Sequence, residues 1–337
     1  MNILIVGEFS GVAKNLSIGF ERLGIRADII SDGDGYKNIS NKKPNFIERT
    51  ILWRWSGQLI QAIKKLNKSY DYIIFLSPFV FKYPLFLNNK LYQNLIIRSK
   101  KSILLSCTSD SIWWRNYDQI KGRSPHLGSI QDTHGKTHRY ANDAYYKSNL
   151  NLVEMIDKII ALAPEYKFAY ESLGIDVPWV PFPYEISKNK EPSINRSLIY
   201  HGITREGFKG TKEIKNIMKD INSGFEQLIT KQISYVNFVA NLKKTVIYFD
   251  QAYSHAPAMS ALTALENVPF VVTGVQPNKH NLSYFYDCPA IDILEDTLKI
   301  EEIVSNTKNF EEQIEKNRFF IEKYHNPINI CQKILQI

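Results

Sequence analysis

Short apolar runs alternate with amphipathic segments along almost the whole chain. Residues 3–6 and 72–76 have the apolar character of strands that are buried on both faces. Between such runs, apolar residues recur at spacings of three and four, as at Leu52, Trp55, Leu59, Ile63 and Leu66. This spacing is typical of one face of a helix. The alternation predicts an α/β fold with a mostly parallel, doubly wound sheet.

A proline-rich segment divides the chain into two such series. Residues 177–183 contain three prolines, which make the segment stiff and extended, and the polar stretch 187–195 follows. We predict two Rossmann-like domains, over residues 1–183 and 184–308, with parallel sheets that face a central cleft as the default ligand site. Residues 309–337 are expected to form a helical segment that packs back on the N-terminal domain.

Composition and charge narrow the function classes. The chain of 337 residues is 44% hydrophobic and 23% charged, which is typical of a globular protein. Its three cysteines, Cys107, Cys288 and Cys331, are far apart, so neither a disulfide framework nor a zinc site is expected, and the cytoplasm is the natural compartment. The net charge of +8 suits phosphorylated small molecules or an anionic membrane surface. We expect no nucleic-acid partner, because no basic run or nucleic-acid motif stands out.

The N-terminal sequence argues against secretion. The chain opens directly on an apolar strand pattern with no basic leader before it. The most hydrophobic window, residues 72–87, is interrupted by Pro78, Lys82 and Pro84. We therefore expect no helix that spans a membrane.

The sharpest chemical signal lies between His201 and Thr211. This stretch follows a predicted strand and opens a helix, for which Thr211 is a reasonable N-cap. Helix N-termini favour phosphate, and Arg205 and Lys209 would add two full positive charges. In the alternative interpretation, both side chains are solvated loop residues.

A second signal follows the strand predicted at 245–249. Loops at the carboxyl ends of parallel strands are where open α/β sheets bind ligands. The polar side chains of this loop can hold sugar hydroxyls or a nucleotide: Asp250, Gln251, Tyr253 and Ser254. In the alternative, Ser254 or His255 caps the next helix and Asp250 holds the loop together.

The stretch from Ser197 to Gly274 resembles the nucleotide-sugar-binding domain of group-1, family 4-like glycosyltransferases of the GT-B fold, a class that builds bacterial surface polysaccharides. The residues that carry the resemblance are His201, Arg205, Lys209, Gly210, Thr211, Asp250, Gln251 and the run from Pro269 to Val272. The resemblance implies that Arg205 and Lys209 bind the donor diphosphate, together with Gly210 and Thr211. It is firm in the C-terminal half and rests on pattern alone in the N-terminal half.

One position departs from the family pattern. The family usually has a glutamate at the start of its alanine-rich helix, which holds the donor's sugar or ribose, and this chain has Leu262 there. Glu266 lies one helical turn later and is a further donor-binding candidate. Three explanations remain open: another residue of the 250–255 loop replaces the glutamate, the donor is unusual, or the protein transfers no sugar.

The N-terminal half offers candidates for the acceptor side. Gly11 and Ser10, in the loop after the first strand, would let the backbone approach a ligand, although a tight turn explains them equally well. Asp110 follows a predicted strand and is the candidate catalytic base, with a helix N-cap as its alternative role. The long polar stretch 116–145 is a candidate acceptor-binding flap. Its acceptor-binding candidates are His126, His134, His138 and Arg139.

These features predict a metal-independent glycosyltransferase without a cofactor. It would move a sugar from a nucleotide-diphosphate sugar to a surface glycan, such as lipopolysaccharide or capsule, or to its lipid-linked form. An amphipathic segment from Trp53 to Lys68 would either dock on the inner face of the cell membrane or cover the sheet. Two alternatives remain: a catalytically silent GT-B-like module that binds glycan or a partner, and a sugar-nucleotide epimerase.

Overall fold

The computed structural model divides into two compact units. It describes residues 1–32, 34, 37, 60–81, 85–116, 139–188, 195–221, 224–276, 282–293, 297–306 and 309–337. Unit 1 contains the described residues up to 116, residues 139–183 and Pro327–Ile337. Unit 2 contains the described residues from Tyr184 to Asn326.

Unit 1 is built on a five-stranded parallel sheet. Its strands are β1 (Asn2–Val6), β2 (Arg26–Ile30), β3 (Tyr70–Phe75), β4 (Ser99–Ser106) and β5 (Lys158–Ala161). They lie in the order β2-β1-β3-β4-β5, and all pairs are parallel. The helices that connect them include α1 (Val12–Arg22), α2 (Leu85–Ile96), α3 (Ser111–Arg115), α4 (Asp143–Met155) and α5 (Pro164–Glu171). Residues 60–66 are also helical, and Arg139–Ala141 form one 3₁₀ turn.

Unit 2 repeats this topology. Its strands are β6 (Leu198–Ile203), β7 (Glu226–Lys231), β8 (Thr245–Phe249), β9 (Phe270–Thr273) and β10 (Ile291–Asp292). Their order is β10-β9-β8-β6-β7, again with parallel pairing throughout. The helices are α6 (Glu206–Lys209), α7 (Thr211–Asp220), α8 (Tyr235–Lys243), α9 (Met259–Asn267), α10 (Ser283–Asp287), α11 (Thr297–Asn306) and α12 (Phe310–His325). The predicted parallel α/β fold with two Rossmann-like sheets is confirmed.

Burial explains why the central strands form. The four residues Ile3–Val6 of β1 are fully buried, and so are all five residues of β8. Strands with helices on both faces need such continuous apolar runs. In unit 2, Ile199, Ile247 and Val272 from three neighbouring strands pack with Ile214 of α7 in one core. This core fixes the strand ends at which the candidate site lies.

The last helix, α13 (Pro327–Gln336), belongs to unit 1 and packs on α1. The two helices approach closely at Gly19, which has no side chain to separate them. The Cys331 thiol lies against the same turn and donates a hydrogen bond to the Leu16 carbonyl oxygen at 3.4 Å. Small residues therefore determine this helix contact.

None of the helices in the described ranges is both long enough and apolar enough to cross a lipid bilayer.

Candidate functional site

The two sheets have the same strand order, and this order indicates the strand ends at which a ligand is expected to bind. When the strands of each sheet are numbered from its own first strand, both orders read 2-1-3-4-5. In open sheets of this kind, ligands bind at the carboxyl ends of the strands where the order reverses. In unit 2 this point lies between β6 and β8, and in unit 1 it lies between β1 and β3.

His201 joins the two strands at the switch point of unit 2. Its Nδ1 lies 2.9 Å from the Phe249 carbonyl oxygen, and its Nε2 lies 3.0 Å from Thr211 Oγ1. Because a carbonyl can only accept, Nδ1 carries the proton and Nε2 accepts from the Thr211 hydroxyl. Burial lowers the pKa of His201 to about 4, so the ring is neutral at pH 7.

Lys209 and Asp250 form a buried ion pair beside this histidine. Lys209 is 4% exposed and Asp250 is fully buried. The Lys209 ammonium contacts Asp250 Oδ1 and donates to Ser260 Oγ at 3.1 Å. The same carboxylate oxygen accepts from Ser260 Oγ at 2.6 Å and from the Tyr248 hydroxyl at 3.3 Å. The charge of Lys209 is therefore largely neutralised within the protein.

The turn that carries Lys209 packs directly on the loop after β8. Ala252 N donates to the Lys209 carbonyl oxygen at 2.9 Å. Gly210 has a φ of +69°, and a Cβ there would lie 2.7 Å from Ala252 Cβ and 3.2 Å from the Tyr253 ring. A side chain at position 210 would force the two segments apart. The turn within residues 201–211 and the loop of residues 250–255, which the sequence indicated separately, are therefore in direct contact.

Arg205 is the exposed cation of this site. It is the N-cap residue of α6, and its guanidinium carbon lies 3.4 Å from the centre of the Phe208 ring. Stacking on an aromatic face orients the guanidinium plane. A guanidinium at this exposed position suits a diphosphate through its charge and its planar shape.

Two helix N-termini flank the turn and the loop. The N-cap residue of α7 is Gly210 and that of α9 is Ala258, and neither supplies a side-chain cap. The first turn of α7 carries Glu213, whereas that of α9 has no acidic residue. Ser260 in the first turn of α9 donates to Asp250, whose charge Lys209 offsets, so this helix N-terminus keeps its partial positive charge for a phosphate.

The structure gives three of the predicted donor-binding side chains internal partners. Thr211 is buried and bonded to His201, so it is not the N-cap that the sequence suggested. Ser254 Oγ donates to the Gly274 carbonyl oxygen at 3.0 Å. The half-buried Tyr253 hydroxyl bonds to Glu213, and burial together with this carboxylate raises its pKa to about 12. Gln251 lies in the same loop, and its carbonyl oxygen accepts from Gly274 N at 2.8 Å.

The position of Glu266 contradicts the prediction that this residue binds the donor. Arg196 Nη1 bonds both the Thr245 and the Asn267 carbonyl oxygens, which places the end of α9 at the amino end of β8. Glu266 therefore lies at the opposite edge of the sheet from the site. It accepts from the Tyr184 hydroxyl at 2.5 Å and from Ser187 N at 2.6 Å, and it therefore anchors the start of unit 2.

In unit 1, Glu8 follows β1 at the corresponding switch point and bonds the start of α1, a role that the sequence analysis missed. Glu8 Oε1 accepts from Gly11 N at 2.8 Å and Ala13 N at 3.3 Å, and Oε2 accepts from Lys14 N at 3.0 Å. Burial raises the pKa of this carboxyl, although the backbone bonds oppose the shift. These bonds, together with the bond from Ser10 N to Asp34 Oδ2 at 2.8 Å, are those of a tight turn, which was the alternative interpretation of Ser10 and Gly11. The sequence feature that could have indicated this role of Glu8 is an acidic residue between a strand and the helix that follows it.

Asp110 is the N-cap of α3, which was the alternative to a catalytic base. Oδ1 accepts from Trp113 N at 2.9 Å and Oδ2 accepts from the Tyr170 hydroxyl at 2.7 Å. Asp110 is fully buried, and burial raises its pKa to about 6. Both oxygens of Asp110 are thus used within unit 1, which supports the capping role over that of a catalytic base.

Aromatic rings and two arginines lie near the carboxyl ends of β3 and β4. Phe79 stacks on Tyr140 at 5.6 Å and meets Tyr145 edge-on at 5.2 Å between ring centres. The exposed Arg139 lies over the Tyr140 ring at 4.7 Å, and Arg115 lies over the Tyr146 ring at 4.2 Å. Of the predicted acceptor-binding residues, Arg139 is thus placed, while His126, His134 and His138 lie outside the described residues.

His201 gives a prediction for acid stability. Its folded-state pKa of about 4 lies below the ordinary 6.5, so the neutral ring favours folding above pH 6.5 and this contribution is lost as the pH falls towards 4. His201→Gln removes that dependence, so its cost relative to wild type should be about 2 kcal/mol smaller at pH 5 than at pH 7. Urea unfolding at both pH values measures this difference.

Asp110→Asn is the control with the opposite sign. The pKa of Asp110 is raised, so its contribution is present at low pH and is lost as the pH rises from 3.8 through about 6. A cost of His201→Gln that is equal at pH 5 and pH 7 would contradict a neutral, buried His201.

Comparison with solved structures identifies the fold, whereas comparison of sequences does not. No family model matches the chain, and no curated protein matches it in sequence. An alpha-glucosyltransferase solved with UDP and a 13-mer DNA containing a HMU base superposes with a TM-score of 0.63 at 12% identity, over 100% of this chain and 98% of that one. Sucrose-phosphate synthase from Thermosynechococcus elongatus superposes with a TM-score of 0.58 at 11% identity, over 100% and 98%.

A third similar structure covers less of its own chain. TarM from S. aureus, solved with Fondaparinux, alpha-GlcNAc-glycerol and UDP, gives a TM-score of 0.51 at 11% identity, over 83% of this chain and 58% of TarM. The described sheets and these likenesses together define the class: the chain has the α/β fold of GT-B glycosyltransferases.

Proposed function

We propose that the protein is a glycosyltransferase that takes its sugar from a nucleotide-diphosphate donor bound at the switch point of unit 2. The observation that carries this proposal is the joined turn and loop between β6 and β8, with the exposed Arg205 beside it. GT-B structures solved with UDP have the same fold, which supports the choice of donor class.

In this proposal the leaving diphosphate is neutralised by Arg205 and by the N-terminus of α9. Negative charge develops on the diphosphate as the sugar leaves, and fixed positive groups stabilise it in the transition state. No metal and no organic cofactor enters the proposed reaction. Lys209, which the sequence resemblance assigned to the diphosphate, acts on this site through Asp250 instead.

Arg205→Ala is expected to weaken the binding of UDP about 10- to 100-fold, because it removes charge-assisted hydrogen bonds to the diphosphate. Arg205→Lys keeps the charge but loses the fork and the stacking on Phe208, so its affinity should fall between those of wild type and alanine. Isothermal titration with UDP, GDP and dTDP measures the effect. Arg26→Ala, at the exposed first residue of β2 in unit 1, is the matched control. Binding of none of the three nucleotides by wild type would rule the proposal out.

We further propose that the acceptor is a sugar of a surface glycan, such as lipopolysaccharide or capsule, presented in lipid-linked form at the cytoplasmic face of the cell membrane. The aromatic rings of Phe79 and Tyr145 beside Arg139 support a carbohydrate acceptor, since sugar faces stack on such rings. Transfer of labelled sugar to membrane extracts tests this acceptor.

DNA is the second candidate acceptor. It is favoured by the net charge of +8 and by the likeness to the alpha-glucosyltransferase solved with DNA. A DNA-binding protein loses affinity steeply as the salt concentration rises. Gel-shift assays with duplex DNA at 50 and 200 mM salt, together with label transfer to DNA, decide between the two acceptors.

A further inference from the structure

Two buried oxygen atoms at the carboxyl ends of neighbouring strands in unit 2 have no hydrogen-bond donor among the described residues. They are Oδ2 of Asp250, after β8, and Oε1 of Gln276, after β9. Asp250 is fully buried and Gln276 is 7% exposed. Native proteins pair more than nine in ten buried polar groups, so two such atoms at one sheet edge require an explanation.

The Asp250 carboxylate has one occupied and one available oxygen. Three donors converge on Oδ1, from Lys209, Ser260 and Tyr248, and they fix the orientation of the group. Oδ2 receives none of them. The orientation of Oδ2 is therefore fixed by these three bonds before any ligand hydroxyl approaches it.

The segment that precedes Gln276 is held at the same edge by backbone contacts. Asp250 N donates to the Val272 carbonyl oxygen at 2.9 Å, and Gly274 N donates to the Gln251 carbonyl oxygen at 2.8 Å. Gly274 packs so tightly on the Ser254 backbone that any side chain there would overlap it. The segment that leads to Gln276 is therefore fixed beside the loop that carries Asp250.

The hydrogen-bonding character of these two oxygen atoms indicates which part of a nucleotide sugar they can bind. Both are acceptors, one of them on a carboxylate, so they require O–H or N–H groups. An ionised diphosphate offers no donor and is repelled by a carboxylate. A sugar ring offers several hydroxyl donors, which makes it the matching half of a nucleotide sugar.

Helix α9 brings no carboxylate to this edge of the sheet. Leu262 is fully buried in the core, and Glu266 lies at the amino end of β8. We propose that Asp250 and Gln276 together accept hydrogen bonds from hydroxyl groups of the donor sugar, and that Lys209 positions the Asp250 carboxylate for this purpose. The proposal rests on the proposed function and assigns the sugar subsite within it.

The test compares each nucleoside diphosphate with its sugar conjugate in Gln276→Leu. The pairs are UDP and UDP-glucose, GDP and GDP-mannose, and dTDP and dTDP-glucose, measured by isothermal titration. The conjugate that wild type prefers should bind the variant about 10-fold more weakly, while its diphosphate binds within twofold. The melting temperature should be unchanged or higher, because the variant removes an unpaired buried oxygen. Gln276→Glu keeps an acceptor and should retain the preference for the conjugate.

The other outcomes overturn the assignment. Equal weakening of diphosphate and conjugate in Gln276→Leu would mean that Gln276 only supports the fold. No weakening at all would remove Gln276 from the site. Gln332→Leu on the exposed face of α13 is the matched control and should leave both affinities unchanged. If wild type binds none of the nucleotides, the proposed function itself fails, and this result is distinct from a wild type that binds diphosphate and conjugate alike.

Discussion

Replacing Asp250 with alanine is expected to lower the free energy of unfolding by about 3–5 kcal/mol. Among the described residues, the variant leaves the buried Lys209 ammonium with the Ser260 hydroxyl as its remaining side-chain partner. Removing one member of a buried ion pair costs more than the pair contributes, because the remaining charge cannot be solvated. Guanidinium unfolding at pH 7 measures the change in midpoint and in free energy.

Two further variants separate the ion pair from simple loss of packing. Lys209→Met should cost less than Asp250→Ala, since Ser260 and Tyr248 still donate to the carboxylate. The double variant Lys209→Met/Asp250→Leu should be more stable than the sum of the single changes predicts. Lys231→Met, which breaks the exposed pair with Glu206, is the control and should change stability by at most about 0.5 kcal/mol. A cost below about 1 kcal/mol for Asp250→Ala would show that the pair is not buried in solution.

The central strands of both sheets could be predicted from the sequence, and the edge strand β7 could not. All residues of β8 are buried, and an apolar run reveals such a strand directly. None of the six residues of β7 is buried. A strand at the edge of a sheet needs no apolar run, since it covers little of the core, and so it leaves no hydrophobic signal.

The location of the candidate site was predictable, but the partners of its side chains were not. Strand ends followed by polar loops indicated residues 201–211 and 250–255 separately. Their contact depends on β6 lying next to β8, which only the strand order reveals. Lys209 and Asp250 are 41 residues apart, and lysine is rarely buried, so the sequence favoured a solvent-facing phosphate ligand.

Acidic residues at strand ends show the limit of this kind of prediction. Glu8, Asp110 and Asp250 all follow a buried strand. Glu8 and Asp110 bond the first turn of a helix in unit 1, whereas Asp250 pairs with a lysine in unit 2. All three lie between a strand and the helix that follows it, and only burial and hydrogen-bond partners distinguish a capping carboxylate from one with an oxygen still available.

Gln276 could not be predicted from the sequence, because it belongs to no recognised motif and lies in a polar segment. Its position follows from Gly274, which allows the chain after β9 to lie against the Ser254 backbone. The family pattern places the expected glutamate at position 262, in α9. The residues that we propose in its place lie instead at the ends of β8 and β9, the strands that precede and follow α9.

Gly19→Ala is expected to lower the free energy of unfolding by about 3 kcal/mol, although the same change in an ordinary helix raises it by about 1 kcal/mol. A Cβ at position 19 would lie 2.6 Å from Cys331 Sγ and 2.7 Å from the Pro327 carbonyl carbon. The Pro327 contact is with backbone, so α13 would have to move away from α1. Because α13 covers the buried residues of α1, its displacement would expose apolar surface.

Gly24→Ala is the matched control for this contact. No atom lies within 4 Å of a Cβ at Gly24, but its φ is +72°, so alanine should cost only the left-handed strain of about 1 kcal/mol. Thermal and guanidinium unfolding of the two variants should therefore rank Gly19→Ala well below Gly24→Ala. If Gly19→Ala were as stable as wild type, α13 could not pack on α1 as closely as described, since backbone atoms cannot relieve the overlap by changing rotamer.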